Sequence, residues 1–143
     1  LAGAAAVDPS PQVVPTVLAL VLFLWTPPHF WSLAMYYRED YARAGVPMLP
    51  VVHGDHVAAR AIFAHTALLV ALSLLPLRWG AGPVYLAGAL VGGAWFLQRS
   101  WVLLREPTPQ NAIRNFLASL AQLGLLLLGA IADGALGGRL LAP

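Results

Sequence analysis

One short segment of the chain places a carboxylate between two guanidinium groups. Arg38, Asp40 and Arg43 lie within six consecutive positions. An aspartate at a membrane rim can hold Mg²⁺, a hard cation that prefers oxygen ligands and can in turn hold a diphosphate. Arginine side chains bind phosphate oxygens and stabilise the charge on a departing diphosphate. These residue types suit a lipid diphosphate, although such a site normally needs two or more carboxylates, and the other two nearby are Glu39 and Asp55.

A histidine and several aromatic residues precede or surround this charged group. The aromatic residues are Trp25, Phe30, Trp31, Tyr36, Tyr37 and Tyr41. On a continuous helix, His29 shares a face with Tyr36 or Tyr37 and with Asp40. His29 lies about 16 Å below Asp40 along that helix, well inside a membrane. Aromatic walls at this depth would shelter an apolar chain.

Each of these features also has a purely structural interpretation. A histidine in a membrane span can be a packing residue, although polar groups there tend to face a cavity. Asp40 with its arginine neighbours can be a solvated helix end. The aromatic residues can form an interfacial belt, but Trp25 and Trp31 lie too deep for that, which favours an apolar pocket or helix packing. Spacing alone leaves these alternatives open.

The composition restricts the class of protein. Hydrophobic residues make up 59% of the 143 residues and charged residues only 10%, whereas a soluble domain carries about a quarter charged residues. The chain is therefore predicted to be a membrane protein. The formal charge of +2 argues against a nucleic-acid-binding surface. The absence of cysteine excludes disulfide frameworks, thiolate metal sites and cysteine nucleophiles.

Long intervals without charge predict an all-α, polytopic membrane helix bundle. Residues 9–37, 61–77, 79–98 and 115–132 are uncharged. Each interval can span a hydrocarbon core of about 30 Å at about 1.5 Å per helical residue, the second only just. We predict four transmembrane helices, near residues 14–41, 57–77, 84–104 and 111–132, with a cytoplasmic cap loop at residues 42–56.

The distribution of arginine predicts the orientation of the bundle. The first and third connections hold six arginines: Arg38, Arg43, Arg60, Arg99, Arg105 and Arg114. Arg78 is the arginine of the second connection, and Arg139 lies in the C-terminal tail. Positive residues accumulate on the cytoplasmic side of a membrane, so we expect the first and third connections, together with Asp40, to face the cytoplasm.

Three stretches carry a resemblance to a known family. They are LWTPPHFWSLA at 24–34, YREDY at 37–41 and AGVPMLPVV at 44–52. This pattern closely resembles the protoheme IX farnesyltransferase, or heme O synthase, family of UbiA-type intramembrane prenyltransferases. The resemblance implies a nine-helix membrane fold, of which these would be helices six to nine. It also implies transfer of a farnesyl group from farnesyl diphosphate to a vinyl group of heme b, giving heme O, in a bacterial inner membrane.

The resemblance implies a role for each matching position. Asp40 would hold Mg²⁺ and the diphosphate, with Arg38 and Tyr37 beside it as catalytic residues. The residues implied in substrate binding are Trp25, His29, Trp31, Tyr36, Tyr41 and Arg43. Among these, His29 would lie near heme, as a ligand or a polar contact. Aromatic walls would protect an allylic cation from hydrolysis while diphosphate leaves and the vinyl group attacks.

The sequence also departs from the family pattern. Ala44 stands where the wider superfamily often has a second carboxylate, and His53 stands where lysine or arginine is common. The first acidic motif of the family, of the type Asn-x-x-x-Asp-x-x-x-Asp, is absent. By this comparison the chain would be a C-terminal half, inactive alone, whose partner is the N-terminal half of the same enzyme.

Two alternatives from other classes stay open at this point. Another intramembrane prenyltransferase, acting on an aromatic or quinone precursor, would share the fold and the metal but should lack the 24–34 pattern. A non-enzymatic membrane subunit could instead bind heme through His29 and His65. The charged group around Asp40 argues against that subunit, because a heme scaffold has no evident use for it.

Overall fold

The computed structural model describes residues 13–136. In that range the chain forms helices and no strand, which confirms the predicted all-α class. Arg139 and the rest of residues 137–143 lie outside the described range, as do residues 1–12.

Six α-helices and one short 3₁₀ helix make up the described range. They are α1 (Val13–Tyr36), α2 (Arg38–Arg43), α3 (Leu49–His53), α4 (Asp55–Leu72), the 3₁₀ helix (Leu75–Trp79), α5 (Pro83–Arg105) and α6 (Pro109–Ala135). Prolines at the first positions of α5 and α6 fit helix starts, where a missing N–H leaves no bond unmade. At the start of α6, the Thr108 hydroxyl also accepts a hydrogen bond from the Asn111 N–H at 3.3 Å.

The structure differs in detail from the predicted segments. The helix expected over 14–41 is interrupted at Tyr37, where the backbone has φ −102° and ψ 32°. The helix at 57–77 begins earlier, at Asp55, and α4 ends at Leu72, because Pro76 lacks the N–H that would bond to the Leu72 carbonyl. The segment 42–56 also contains a short helix, α3.

Three helical segments are long and apolar enough to cross a bilayer: Val13–Tyr36, Asp55–Trp79 and Pro109–Ala135. The chain is therefore a multi-pass membrane protein. Helix α5 is 23 residues long, but its glycines, together with Gln98 and Arg99, lower its mean hydropathy. The count of four membrane spans therefore stays a prediction.

The four long helices form a closed bundle. Helix α1 packs against α4 and α6, and α5 packs against the same two helices. The contact between α5 and α6 depends on glycine, because a Cβ atom at Gly88 would collide with the Leu125 carbonyl oxygen. A Cβ at Gly92 would lie 2.9 Å from the Gln122 Cα atom. Small residues at these positions let the two helices approach closely.

Two apolar clusters fill the bundle, one above the other. One contains Met35, Ala58, Ala59, Ile62, Leu103 and Ala112. The other contains Val17, Val21, Trp25, Leu69, Tyr85, Ala89, Phe96, Ala118, Leu126 and Ala130. At one level between the two clusters, each long helix contributes one buried polar residue to a hydrogen-bonded group. These four buried residues are Ser32, Thr66, Ser100 and Asn115, and we refer to them as the polar layer.

Hydrogen bonds join the polar layer across all four helices. Asn115 Nδ2 donates to Ser32 Oγ at 2.8 Å, and Ser100 Oγ lies 2.8 Å from Asn115 Oδ1 and 3.1 Å from Thr66 Oγ1. Ser32 Oγ in turn donates to the Pro28 carbonyl at 2.6 Å. Polar groups inside a membrane bundle need such partners, and the layer supplies them from within the chain.

Candidate functional site

A cavity of about 460 Å³ opens at one end of the bundle, where α1 passes into α2. Its polar lining consists of Tyr36, Tyr37, Arg38, Glu39, Asp40 and Asp55. We call it the rim cavity. The apolar cluster around Met35 and Ile62 contributes Met35 to its wall. The cavity therefore combines three carboxylates, a guanidinium group and two phenols above an apolar interior.

Asp40 is available at the cavity. Its side chain is 56% exposed and forms an ion pair with Arg43 within α2. Exposed ion pairs contribute only about 0–1 kcal/mol, so a ligand can replace Arg43 at little cost. Arg43 itself does not line the rim cavity.

Arg38 connects two elements of the site. Its guanidinium Nη1 donates to Asp55 Oδ2 at 3.2 Å, and the side chains of Arg38 and Asp55 are 46% and 30% exposed. Arg38 opens α2, whereas Asp55 opens α4, so the pair spans the cavity. Because a guanidinium group has five donors, several of them remain free for an anion.

The tyrosines near Asp40 divide into two groups. Tyr36 and Tyr37 line the cavity and contact each other edge to face, with ring centroids 4.7 Å apart. Tyr41 is half-buried on α2 and does not line the cavity.

His29 lies away from the rim cavity, inside the bundle. Its ring is stacked between Trp25 at 4.1 Å and Phe116 at 4.4 Å, and it is 8% exposed. His29 Nδ1 is 2.8 Å from Ser119 Oγ. Because Ser119 Oγ donates its single hydrogen to the Phe116 carbonyl at 2.6 Å, it accepts from His29 Nδ1–H, and the ring lone pair is on Nε2.

The two deep tryptophans have separate partners. Trp25 Nε1 donates to the Ser119 carbonyl at 2.8 Å, which ties α1 to α6. Trp31 packs edge to face against His65, with ring centroids 5.2 Å apart. Thus the structure brings Tyr36, Tyr37, Arg38 and Asp40 together in one cavity. It places the other predicted site residues, Trp25, His29, Trp31, Tyr41 and Arg43, elsewhere.

Asp55, like Glu39, is a charged residue of the cavity to which sequence reasoning assigned no role. The sequence identifies it only as a nearby carboxylate, without a partner. Its position directly after Gly54 could have indicated at which end of the bundle Asp55 lies. A helix that starts there must begin at the membrane end where Asp40 lies, because the two helices are joined by a short connection.

The described residues 13–136 contain no group of three histidine, cysteine or acidic side chains placed to hold a metal ion. Mg²⁺, however, is usually bound through one or two carboxylates together with water and substrate phosphates. Asp40 offers one such exposed carboxylate at the cavity. The donor chemistry of this end of the bundle therefore fits Mg²⁺ with a phosphate ligand.

Comparison with known proteins finds relatives along nearly the whole chain. The model of the UbiA prenyltransferase family matches residues 1–128. Protoheme IX farnesyltransferase 2 of Paramagnetospirillum magneticum is 54% identical over 138 residues, which cover 96% of this chain and 48% of the relative. Protoheme IX farnesyltransferase 1 of Pseudomonas putida is 46% identical over 134 residues, covering 93% of this chain and 45% of the relative.

A third relative extends the pattern to another genus. Protoheme IX farnesyltransferase of Thiobacillus denitrificans is 50% identical over 111 residues, covering 77% of this chain and 37% of the relative. The chain thus spans about half the length, or less, of the curated relatives it matches. No solved structure is significantly similar to it.

Proposed function

Because the chain belongs to the UbiA prenyltransferase family, we propose that it is the C-terminal half of a protoheme IX farnesyltransferase. The complete protein would transfer the farnesyl group of farnesyl diphosphate to a vinyl group of heme b; diphosphate leaves, and water adds to the cation formed at the vinyl carbon next to the ring, which yields the hydroxyethylfarnesyl group of heme O. The identity of 54% to a protein of that name over 96% of the chain carries this proposal. The rim cavity supports it, since charged groups above an apolar interior suit an amphipathic diphosphate.

Arg38 and Asp40 have complementary roles in this proposal. The free donors of Arg38 bind phosphate oxygens and stabilise the charge that develops on the departing diphosphate. The Asp40 carboxylate holds Mg²⁺ after exchange with Arg43. When bound, Mg²⁺ neutralises charge on the diphosphate. Tyr37 and Tyr36, at the same cavity, orient the diphosphate or the first prenyl carbon.

The deeper residues would form the apolar wall of the site or contact heme, the second substrate. Trp31 packs against the apolar cluster that contributes Met35 to the cavity wall and would help to exclude water from the reacting carbon. Trp25 lies in the other apolar cluster, and its contact with substrate stays a proposal. A contact between His29 and heme stays a proposal; Nε2 is the ring atom that could make it, because Nδ1 is bonded to Ser119. Tyr41 and Arg43 do not line the rim cavity, so they would contact substrate only if α2 changed its orientation relative to the cavity.

The proposed orientation places the rim cavity on the cytoplasmic side of the bacterial membrane. Helices α1 and α5 end where α4 and α6 begin, so the connections that follow α1 and α5 lie at one end of the bundle. These two connections, together with the turns of the long helices next to them, carry six of the eight arginines of the chain. Basic residues of short loops favour the cytoplasmic side, where a soluble diphosphate would be accessible.

The decisive experiment measures product formation by the complete protein. Membranes that contain it are incubated with heme b, farnesyl diphosphate and Mg²⁺, and extracted heme is analysed by chromatography and mass spectrometry. We expect heme O from the complete protein and none from the 143-residue chain alone. Prenylation of an aromatic or quinone precursor instead of heme would favour the other prenyltransferase class. Stoichiometric heme binding without any product would favour a heme-binding subunit.

A further inference from the structure

The Arg38–Asp55 ion pair reaches beyond the three stretches that carry the family resemblance, since Asp55 follows the last of them. Asp55 lies 17 residues after Arg38 and belongs to the next long helix. Both residues line the rim cavity. The pair therefore connects α2, which carries the proposed ligands of the diphosphate, to the first turn of α4.

The backbone holds Asp55 in this position. Gly54 has φ +82°, a conformation that side chains other than glycine rarely adopt, and its N–H bonds to the Pro50 carbonyl at 3.1 Å. The Ala58 N–H then bonds to the Gly54 carbonyl at 3.2 Å. The turn between α3 and α4 is thus closed by hydrogen bonds on both sides, and Asp55 follows it directly.

The two carboxylate oxygens of Asp55 have different environments. Oδ2 accepts the hydrogen bond from Arg38, whereas Oδ1 is buried and has no partner within the described residues. A buried charged atom is costly unless its group is paired. Since Arg38 is the partner that the structure gives to this carboxylate, the side chain is held toward Arg38.

We infer that Asp55 is a positioning residue that holds the Arg38 guanidinium at the rim cavity so that its free donors face an incoming diphosphate. This inference rests on the proposed function in taking diphosphate as the ligand. It predicts the direction in which diphosphate affinity changes when the Asp55 carboxylate is removed. A carboxylate that acted only through its charge would repel diphosphate, so its removal would strengthen binding. A carboxylate that positions Arg38 does the opposite, and its removal weakens binding.

The test measures binding of inorganic diphosphate in the presence of Mg²⁺ to the complete protein, by titration calorimetry in detergent. Four proteins form a cycle: wild type, Asp55→Asn, Arg38→Gln and the double variant. We expect Asp55→Asn to raise the Kd about fivefold, which corresponds to about 1 kcal/mol of ion-pair interaction. In the Arg38→Gln background, the same substitution should leave the Kd unchanged.

Glu106→Gln is the control for the loss of one negative charge. Glu106 is exposed at the end of α5 and does not line the rim cavity, so its neutralisation should leave diphosphate binding unchanged. Asp55→Glu retains the charge and the pair, and we expect its Kd to stay within about twofold of wild type. This variant also keeps the inference testable if Asp55→Asn fails to fold.

Two results would overturn the inference. Asp55→Asn could strengthen diphosphate binding or leave it unchanged, or it could weaken binding equally with and without Arg38. The second result would indicate a direct contact of Asp55 with the metal or the ligand. Heme O formation by the wild type reports separately on the proposed function: its absence together with an intact Arg38–Asp55 coupling would reject that function alone.

Discussion

Asn115 of α6 donates a hydrogen bond of 2.8 Å to Ser32 of α1, although the two residues are 83 positions apart in the chain. The side-chain oxygen Oδ1 of Asn115 accepts a hydrogen bond from the Ser100 hydroxyl of α5 as well. One side chain thus joins three helices in the interior of the bundle. Hydrogen bonds between membrane helices contribute about 0.6 kcal/mol on average and up to about 1.7 kcal/mol.

Asn115→Leu should therefore destabilise the bundle by about 1–2 kcal/mol, because Ser32 and Ser100 each lose a partner. The free energy of unfolding can be measured for the chain in mixed micelles by titration with a denaturing detergent, followed by circular dichroism. A variant as stable as the wild type would show that the polar layer contributes nothing to the fold.

Gln122→Leu should have the opposite effect. Gln122 is 1% exposed on the same helix, but neither its Oε1 nor its Nε2 has a partner within the described residues. Replacing an unsatisfied buried amide by an apolar group should stabilise the chain by about 1 kcal/mol. The same unfolding measurement applies. A loss of stability as large as that of Asn115→Leu would imply a hidden partner, such as a buried water molecule.

Gly88→Ala should weaken the contact between α5 and α6. The added methyl group would collide with the backbone carbonyl of Leu125, which cannot move without shifting the helix, so we expect a loss of about 1–3 kcal/mol. Gly124→Ala is the matched control on α6. A methyl group at Gly124 would meet no other atom within 4 Å, and helix propensity predicts a gain of about 0.5 kcal/mol. Equal effects of the two substitutions would contradict the close packing at Gly88.

Asp40→Asn should abolish heme O formation by the complete protein while membrane insertion stays intact, because a neutral amide is a poor ligand for Mg²⁺. Product is measured by mass spectrometry, and insertion by the amount of protein in washed membranes. Glu106→Gln, an equal loss of charge at the exposed end of α5, should retain wild-type activity. Normal activity of Asp40→Asn would remove Asp40 from the site.

The sequence was sufficient to predict the helices, because uncharged intervals of membrane length have few other stable conformations in lipid. Their ends were less predictable. Tyr37 interrupts a helix that periodicity extends to Tyr41, and no proline or glycine marks that point. Pro76 did mark the end of α4, since α4 stops one turn before it.

The site was predictable in part. Tyr36, Tyr37, Arg38 and Asp40 lie close in the sequence, so their meeting at one cavity needed only local structure. The Arg38–Asp55 pair depends on how α4 returns beside α2. Likewise, the stacking of His29 on Phe116 depends on contact between the first and last long helices. Spacing along one helix carries no information about such partners.

The polar layer opposes sliding of any one long helix along its neighbours. If one helix slid by a single turn, about 5.4 Å, along its neighbours, its polar side chain would enter an apolar cluster and leave the others without partners. The layer therefore acts as a stop against sliding. Arg38 follows α1 after the break at Tyr37, and Asp55 opens α4, so a fixed height of α1 relative to α4 also fixes the two helix ends between which this ion pair forms.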